Sequence, residues 1–416
     1  MWQKTKNIYH FQTSLLANIM YGFPSRGLTV IGVTGTEGKT TTSNLIYHIL
    51  HTAGKKVAVI STNGAIINGK EFDTGLHTTT PGGFALQAYL KQARKEKVDY
   101  VVLEISSHAL DQYRAQGIKF TVGVITNVAH DHLDYHKTWE NYVHAKARLL
   151  KKAQLAIVNK DDRSYHRLKK YELKHDKKVV TYGFKKDSEV NPHMFPFRTK
   201  LLGKFNKYNC LAAIAALRAI RIPDAKIRSG IATYMPPAGR QETVYNKDFK
   251  AVIDFATTEY SFDCALPAIH GDAKGRLIHV FGSAGQRDYT KRPMLGKVSA
   301  KHADIIILTA EDPRNESPEK IAGEIEAGVT DPSFEHISYE RITKNAFVPQ
   351  KGKKYVMVVP DRQEAIVYAM KIAARNDVVV MTGKGHEKSM NYGRGEQPWD
   401  EKEIALMAIR VRNEKK

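Results

Sequence analysis

The chain contains one short segment, residues 32–42, that restricts its possible folds more than any other feature. The segment reads Gly-Val-Thr-Gly-Thr-Glu-Gly-Lys-Thr-Thr-Thr, overlaps an apolar run at residues 28–33, and opens a helical pattern that starts at Thr40. A buried strand, a glycine-rich turn and a helix in this order predict a phosphate-binding loop. The spacing fits the general pattern G-x-x-x-x-G-K-[ST] only loosely, because five residues separate Gly32 from Gly38.

The residue types in this segment suit the binding of a nucleoside triphosphate. Glycines allow backbone N–H groups to surround phosphate oxygens, and the N-terminus of the following helix adds a favourable dipole. Lys39 is expected to reach the outer phosphates, and the Thr40 hydroxyl is expected to bind Mg²⁺. The alternative is a glycine-rich turn that binds no ligand. We predict that the chain binds a nucleoside triphosphate.

The strongly basic composition raises the question of a nucleic-acid partner. The formal net charge is +21, but the lysines are dispersed in short pairs such as Lys151-Lys152, with acidic residues between them. The sequence contains no arginine-rich tract. We therefore expect a generally basic surface that suits an anionic, nucleotide-linked substrate, and no specific nucleic-acid partner.

Cysteine usage and hydropathy indicate a cytoplasmic protein. Cys210 and Cys264 are the only cysteines, and their separation argues against a disulfide framework or a zinc site. No apolar run approaches the ~20 residues that a membrane span needs. The first residues lack the apolar core of a secretory signal. We expect a cytoplasmic monomer with no membrane partner.

Short apolar strands alternate with helices along most of the chain, which predicts an α/β fold. Strands are predicted at residues 57–61, 98–105, 122–126, 155–159 and 179–182, and again at 251–255, 277–281, 304–309, 355–359 and 377–382. Helices are predicted at residues 84–95, 139–153, 209–220, 261–270, 295–302, 318–327 and 364–374.

The Pro-Pro-Ala-Gly stretch at residues 236–239 is typical of a hinge between domains. We predict a short N-terminal segment at residues 1–27 and a nucleotide-binding central domain at residues 28–235. The central domain is expected to resemble P-loop NTPases, with a mostly parallel sheet. Residues 236–416 are expected to form a C-terminal Rossmann-like α/β domain.

Glu104 follows the apolar run at residues 100–103. Its carboxylate is therefore expected at the carboxyl end of a sheet strand, where α/β proteins bind ligands, and it could bind Mg²⁺ there. The alternative is a solvated acid at a strand end. Ser106-Ser107-His108 comes next and invites a hydrolase interpretation, but the nucleophile-elbow pattern G-x-S-x-G is missing.

A second polar cluster follows the predicted strand at residues 122–126. Residues 130–136 read His-Asp-His-Leu-Asp-Tyr-His, which puts three histidines and two aspartates within seven residues. Such a cluster is typical of a metal or phosphate site, and the alternative is an ordinary polar loop. The phosphate loop upstream favours the functional interpretation.

Together these motifs resemble those of the Mur ligases, ATP-dependent amide-forming enzymes of cell-wall precursor synthesis, and most closely the MurE type. The resemblance extends from Tyr21 to Met390. The matching segments, in the family's order, are residues 21–25, 35–41, 79–81, 103–110, 131–136, 145–146, 203–209, 239–240, 282–293, 312–314 and 383–387.

The resemblance implies roles for individual residues. ATP would contact Gly35, Thr36, Gly38, Lys39, Thr40, Thr41, Asn206, Asn209, Arg240 and Asp254. Magnesium would be bound by Thr40, Glu104, His132 and Lys146, the last as a carbamate; Lys39, Glu104, His132 and Lys146 would be the catalytic set. The carboxylate acceptor would contact Thr79, Thr80, Ser106, Gln112 and Arg114. The incoming amino acid would contact Arg287, Asp312, Arg314, Gly383 and Glu387.

Three features depart from the family pattern. Glu37 stands where the family usually has Asn, and residues 255–260 lack the usual His and Pro. MurE-type enzymes also begin with a separate domain that grips the UDP group, whereas residues 1–27 are all that precede the first predicted strand. We therefore expect that domain to be absent, and either uridine recognition to be supplied differently or the acceptor to be different.

The resemblance thus implies an ATP-dependent ligase that uses Mg²⁺ and forms an acyl phosphate. The expected substrates are UDP-N-acetylmuramoyl-L-Ala-D-Glu, the UDP-muramoyl-dipeptide, and meso-diaminopimelate. One alternative is a ligase on the same scaffold that acts on another carboxylate, as in folate-type polyglutamylation. A second alternative is a nucleotide-binding protein without catalytic activity.

Overall fold

The computed structural model describes residues 2–72, 79–129, 131–174, 176–344 and 347–414. The chain divides into two compact units, Met1–Met235 and Pro236–Lys416. Each unit is built on a mostly parallel sheet with helices packed against it. The α/β class predicted from the alternation of apolar strands and helices is therefore confirmed.

The first unit contains an eight-stranded sheet in the order β4-β3-β2-β5-β1-β6-β7-β8. Its strands are β1 Thr29–Thr34, β2 Val57–Ser61, β3 Gly64–Ile67, β4 Lys70–Phe72, β5 Tyr100–Glu104, β6 Val122–Ile125, β7 Leu155–Asn159 and β8 Lys178–Tyr182. Strand β3 pairs antiparallel with both β2 and β4, and the remaining neighbours in the sheet order from β2 to β8 pair parallel. The central strands are buried runs of Val and Ile, as strands covered on both faces require.

Helices cover both faces of this sheet. They are α1 Trp2–Met20, α2 Lys39–Thr52, α3 Gly83–Lys95, α4 Ser107–Asp111, α5 Leu133–His136, α6 Trp139–Lys152, α7 Tyr165–Arg167, a π-helical turn Leu168–Glu172, α8 Lys204–Ala219 and α9 Asp224–Thr233. Helices α2, α8 and α9 contribute to one apolar core, and α3 and α6 to the cores on the opposite side.

Helix α8 differs from the prediction in where it begins, and helices α1, α4, α5, α7 and α9 have no predicted counterpart. Helix α8 begins at Lys204 rather than near residue 209, because its first two turns bury Asn206 and Asn209 and so lack an apolar pattern. Helix α1 was not predicted at all. Its buried side carries Ser14 and Asn18, so the apolar periodicity that identifies a helix points away from the domain.

The second unit contains a seven-stranded sheet in the order β13-β14-β12-β11-β15-β10-β9. Its strands are β9 Glu242–Asn246, β10 Lys250–Asp254, β11 Leu277–Phe281, β12 Ile305–Leu308, β13 Phe334–Ile337, β14 Lys354–Val358 and β15 Val378–Thr382. Only β9 pairs antiparallel in this sheet. Strands β16 Ser389–Asn391 and β17 Glu396–Pro398 form a separate hairpin.

The helices of the second unit pack on both faces of its sheet. They are α10 Glu259–His270, α11 Arg292–His302, α12 Pro318–Glu326, α13 Tyr339–Lys344, α14 Arg362–Ile372 and α15 Glu401–Glu414. Helices α14 and α15 contribute to one apolar core, and α10, α11 and α12 to the other. Among the described residues, no helix is both long enough and apolar enough to cross a membrane.

A buried ion pair joins the starts of helices α14 and α15. Arg362 is fully buried, and its Nε and Nη2 atoms donate to the carboxylate of Glu401 at 2.5–3.2 Å. Its remaining donors reach the carbonyls of Ala310, at 3.1 Å, and Thr382, at 2.7 Å. Trp399 donates its indole N–H to the same Glu401 carboxylate. The pair is therefore hydrogen-bonded on every side, as a buried charge requires.

Replacing Arg362 with leucine should lower the free energy of unfolding of the second unit by about 3–5 kcal/mol, because Glu401 would remain buried without a cation. Urea unfolding followed by circular dichroism measures this change. The control is Lys388→Ala, which breaks the exposed Lys388–Asp400 pair and should cost at most about 1 kcal/mol. Equal losses in the two variants would contradict the prediction.

Candidate functional site

The glycine-rich loop lies at the carboxyl end of strand β1, between the ends of β5 and β6. These three strands are parallel neighbours, so the residues that follow each of them meet at one edge of the sheet. Gly38 has a φ of 78° and immediately precedes helix α2. A Cβ atom at Gly35 would lie 1.7 Å from Thr126 Oγ1, and one at Gly38 would lie 2.1 Å from Asn209 Oδ1. Both positions are therefore closed to any larger residue.

The peptide groups of Glu37 are held by the residues that follow β6. The Glu37 N–H donates to Asn127 Oδ1 at 2.9 Å, and its carbonyl accepts from Asn127 Nδ2 at 3.1 Å and from Thr126 Oγ1 at 2.6 Å. The Thr36 hydroxyl accepts from the Ala129 N–H at 3.0 Å. Glu37 therefore fits the loop through its backbone, which makes its unusual carboxylate compatible with this loop conformation.

Lys39, Thr40 and Glu104 meet at the mouth of the loop. Lys39 Nζ donates to the Thr36 carbonyl at 2.7 Å, which keeps the ammonium over the loop. The Thr40 hydroxyl donates to Glu104 Oε1 at 3.0 Å. Glu104 is buried at the end of β5, and it also accepts from the backbone N–H and the hydroxyl of Thr62, at 2.9 and 3.0 Å. A hydroxyl and a carboxylate thus meet where the phosphate loop opens, and the Lys39 ammonium is held over the same loop.

The two asparagines of helix α8 lie against the same loop. Asn209 Nδ2 donates to Asn206 Oδ1 at 3.0 Å, and Asn206 donates to the Leu202 carbonyl at 2.8 Å. The contact between Asn209 and Gly38 brings this pair to the N-terminus of α2. Thr41 is half-buried in the first turn of that helix.

Lys146 is a buried amine on helix α6. Its Nζ atom donates to the Gly35 carbonyl at 2.5 Å and lies 4.2 Å from the centroid of the Tyr142 ring. Burial lowers the pKa of Lys146 well below its usual value, and the nearby Lys39 ammonium lowers it further. The Tyr142 hydroxyl in turn accepts from Thr36 Oγ1 at 3.2 Å. This direction of shift favours the neutral amine, which has a free lone pair, over the ammonium.

The histidine-rich loop packs on this site through its rings. His132 is half exposed, and its ring lies edge-on to those of His108, at 4.8 Å, and Tyr142, at 6.3 Å. Burial, followed by the charge of His132, lowers the pKa of His108 to about 3. His130 lies outside the described residues. Within the described ranges, no group of three or more His, Cys, Asp or Glu side chains converges as a metal site.

Four of the five residues expected to contact the acceptor form one hydrogen-bonded group beside Glu104. Thr80 Oγ1 donates to the Glu104 carbonyl at 3.1 Å and accepts from the Ser106 N–H at 2.9 Å. Arg114 donates to the Thr80 carbonyl at 3.1 Å and to Gln112 Oε1 at 2.9 Å. The fifth residue, Thr79, adjoins Thr80 and is half-buried.

In the second unit, Arg240 and Asp254 lie close to each other at the end of strand β10. Asp254 is buried and accepts from the N–H groups of Gln241, at 2.8 Å, and Ala256, at 2.9 Å. Burial raises the pKa of Asp254, and the Arg240 charge and these two N–H groups oppose that rise. The Arg240 guanidinium lies 4.5 Å from the centroid of the Phe255 ring.

A second group converges at the carboxyl ends of β11, β12 and β15, which are parallel neighbours. Lys384 is fully buried; its Nζ donates to both carboxylate oxygens of Asp312 at 3.0 Å and to Glu387 Oε2 at 2.7 Å. The Asn391 N–H also donates to Asp312 Oδ1 at 3.0 Å. One cation therefore serves two carboxylates.

Arg314 borders this group, whereas Arg287 extends from it into solvent. Arg314 is half-buried, has a φ of 54°, and donates from Nη1 to the Gly285 carbonyl at 2.8 Å. Arg287 is exposed. A Cβ atom at Gly383 would lie 2.5 Å from Glu311 Oε2, so this glycine permits the buried carboxylate to approach. Burial raises the pKa of Glu311 to about 7.

Four residues of these groups were missed by sequence reasoning: Thr62, Asn127, Tyr142 and Lys384. Thr62 and Asn127 had a usable signal, because each is the polar residue that directly follows a predicted apolar strand. Lys384 lies inside a matched segment, but nothing in the sequence distinguishes it from a lysine on the surface. Tyr142 reads as an ordinary apolar position of helix α6, four residues before Lys146.

Comparisons with known proteins agree across both units. The Mur ligase middle domain matches residues 33–217, and the "Mur ligase, glutamate ligase domain" matches residues 239–385. A Geobacillus thermodenitrificans protein named UDP-N-acetylmuramoyl-L-alanyl-D-glutamate--2,6-diaminopimelate ligase is 35% identical over 427 residues, covering 96% of this chain and 82% of the relative.

Solved structures extend this similarity to the fold. A structure of a UDP-N-acetylmuramoyl-L-alanyl-D-glutamate--2,6-diaminopimelate ligase has a TM-score of 0.61 and 28% identity, covering 93% of this chain and 79% of that one. The Mycobacterium tuberculosis folylpolyglutamate synthase, complexed with ADP and AMPPCP, has a TM-score of 0.69 at 15% identity, covering 90% and 92% of the two chains. The second similarity is one of fold alone.

The close contact between Gly38 and Asn209 predicts a defect in nucleotide binding for Gly38→Ala. The added Cβ would force the loop or Asn209 to move, so we expect the Kd for ATP, measured by titration calorimetry, to rise at least about tenfold. Gly54→Ala is a matched control, because Gly54 has a φ of 80° but nothing within 4 Å of an added Cβ. If both variants lose affinity equally, the contact with Asn209 does not matter.

Proposed function

Because this chain belongs to the Mur ligase family, an ATP-dependent group of ligases, we propose that it adds meso-diaminopimelate to UDP-N-acetylmuramoyl-L-Ala-D-Glu in peptidoglycan precursor synthesis. Relatives that are 34–37% identical to it over most of its length have names that contain these two substrates. Folylpolyglutamate synthases share the fold at low identity, so polyglutamylation is not favoured.

One observation carries the proposal beyond nucleotide binding. Thr80 hydrogen-bonds to the backbone of the same Glu104 whose carboxylate receives the Thr40 hydroxyl. The residues proposed to bind the acceptor are therefore adjacent to the residues proposed to bind the triphosphate. A protein that only binds nucleotide has no need of a second polar group, with a half-buried arginine at its edge, beside the phosphate loop.

In the proposed reaction, an oxygen of the acceptor carboxylate attacks the γ-phosphorus of ATP, and the bond to ADP breaks. The product is an acyl phosphate. Three groups would orient the carboxylate: the Arg114 guanidinium, the Ser106 N–H and the Thr80 hydroxyl. The Lys39 ammonium would neutralise charge on the transferring phosphoryl group.

The donor set at this position fits magnesium. The Thr40 hydroxyl and the Glu104 carboxylate are hard oxygen ligands 3.0 Å apart, and Mg²⁺ prefers such ligands together with water and phosphate oxygens. When bound, Mg²⁺ would screen the negative charge of the phosphates. We propose His132 as a further ligand, because its ring lies against the Tyr142 ring, and the Lys146 amine lies over that same tyrosine ring.

Lys146 suits the proposed carbamate. Carbamate formation needs a neutral amine, and burial lowers the pKa of Lys146 in the required direction. The nitrogen would add to the carbon of CO₂ and lose a proton, which converts a cation into an anion. An anion at this position would suit a second magnesium ion, whereas a buried ammonium would repel it.

The second step uses the amino-acid substrate. Its amine attacks the acyl carbon, and inorganic phosphate leaves as the amide forms. We propose that Asp312, Arg314 and Glu387 bind the amino acid, with Lys384 fixing both carboxylates. Arg314 would grip the distal carboxylate of diaminopimelate, because a planar guanidinium binds a carboxylate through two charge-assisted hydrogen bonds. Gly383 and Arg287 complete the proposed set.

A substrate panel tests this function together with the role of Arg314. Phosphate release should require ATP, the UDP-muramoyl-dipeptide and diaminopimelate together, and mass spectrometry should find the tripeptide product. Lysine and ornithine should be poor substrates because they lack the second carboxylate. For Arg314→Ala we expect a lower kcat/KM with diaminopimelate. The decrease should correspond to a loss of about 2–5 kcal/mol in transition-state stabilisation.

The matched control for Arg314→Ala is Arg341→Ala, which removes an exposed arginine paired with Glu335 in the same unit. It should leave kcat/KM unchanged. A wild-type enzyme that prefers lysine would overturn the role of Arg314 while leaving the ligase assignment intact. Phosphate release that ignores both the acceptor and the amino acid would overturn the ligase assignment itself.

The carbamate hypothesis predicts that Lys146→Ala is nearly inactive and that a short carboxylate in the buffer partly restores activity. The added anion would refill the position that the carbamate occupies. Lys152→Ala, on the same helix but with its amine at an exposed hydrogen bond to Gln116, should behave like wild type. An active Lys146→Ala enzyme, or one that no carboxylate rescues, would count against the carbamate.

A further inference from the structure

Helix α1 packs on the rest of the first unit with a side that carries Ser14, Ala17 and Asn18. Ser14 and Asn18 are buried, and Asn18 donates to the Gln116 carbonyl at 2.6 Å. Asn7 donates to Asp111 at 3.1 Å. A Cβ atom at Gly83 would lie 2.3 Å from Ser14 Oγ, so the start of α3 approaches this helix closely. The helix is therefore held by hydrogen bonds and close backbone packing on its inner side.

The outer side of α1 is apolar. Six large apolar side chains of this helix are 39–65% exposed: Ile8, Tyr9, Leu15, Leu16, Ile19 and Met20. Their spacings of 3, 4 and 7 residues put them on one side of a helix. Gln12 is the polar residue within this surface. Phe84, on the adjoining helix α3, is also exposed. We call these seven apolar residues the α1 surface.

The charged side chains on helices α1 and α3, which form this surface, are all basic. Neither α1 nor α3 contains an aspartate or a glutamate. Lys6 is exposed toward the start of α1, and Lys91 of α3 lies 5.6 Å from the ring of Tyr21, the residue that follows α1. Arg26 lies nearby in sequence, over the ring of Phe23. The acid that Asn7 contacts, Asp111, is also paired with Arg148.

Although no apolar run is long enough to span a bilayer, and the sequence therefore predicts no membrane partner, we propose that the α1 surface binds the anionic face of a phospholipid bilayer without crossing it. An interfacial helix combines an exposed apolar side with basic flanks, and it lies in the membrane plane with its apolar side among the acyl chains near the headgroups. Binding is strengthened when the bilayer carries negative charge, because basic groups close to it are attracted within a Debye length. The chain's formal net charge of +21 acts in the same direction.

A second copy of the chain fits this surface less well. Two copies joined through it would bring the lysines of both α1 and α3 together, without an acidic residue on either helix to pair with them. Like charges at an interface are unfavourable, whereas an anionic bilayer supplies the opposite charge over the whole surface. Charge complementarity therefore selects the bilayer.

The test is co-sedimentation of the full chain with vesicles, without any substrate. Wild-type protein should bind phosphatidylcholine vesicles that contain about one third phosphatidylglycerol, and bind pure phosphatidylcholine much less. Raising the salt concentration should weaken binding as charge is screened. The double substitution Leu16→Gln with Ile19→Gln should reduce the partition coefficient at least about tenfold, because two inserted apolar side chains are lost.

The matched control replaces two apolar residues elsewhere that are at least as exposed, Met194→Gln with Val348→Gln, and should bind like wild type. Unchanged circular dichroism and thermal midpoints will establish that both double variants are folded. Wild-type protein that does not bind anionic vesicles, or binds neutral ones equally, overturns the proposal, as does full binding by the Leu16/Ile19 variant. Light scattering that finds a wild-type dimer and a monomeric Leu16/Ile19 variant also overturns it, and assigns the surface to self-association.

Discussion

The buried carboxylate of Glu104 joins the elements around which the first unit's site is arranged. It receives the hydroxyl of Thr40 from the phosphate loop and two groups of Thr62 from the end of β2, while its own carbonyl receives Thr80. A charge so deeply buried is tolerated only when hydrogen bonds surround it. The need to satisfy one carboxylate thus brings three chain segments, far apart in sequence, to one edge of the sheet.

The second unit meets the same constraint with the opposite sign. Lys384 is a fully buried cation, and it is stable there because Asp312 and Glu387 both reach it from loops that follow parallel strands. In each unit, part of the polar site is therefore fixed around a buried charge. Residues so fixed have few alternative rotamers, so a substrate group meets an arrangement that is already in place, and little ordering remains to oppose binding.

Sequence reasoning succeeded where function and fold use the same local signal. Residues 57–60 and 155–158 are contiguous apolar runs, and the structure forms strands β2 and β7 there. The glycine-rich segment also lies between a strand and a helix, as predicted. The assigned site residues remain proposals, although Thr40 with Glu104 and Thr80 with Arg114 do lie in contact groups.

Partners such as Thr62 and Lys384 could not be identified, because their contacts depend on which strands become neighbours. Helix α1 was missed because its apolar pattern marks its outer side.

The pairing of Arg362 with Glu401 has a consequence for the order in which the chain is made. These residues are 39 positions apart, so the cation leaves the ribosome well before its partner. At about 5–20 residues per second the interval is about 2–8 s. During that time the second unit cannot bury Arg362 at low cost, and the sheet around Thr382 must wait for helix α15. The core of the second unit can therefore be completed only after helix α15 has been made and released.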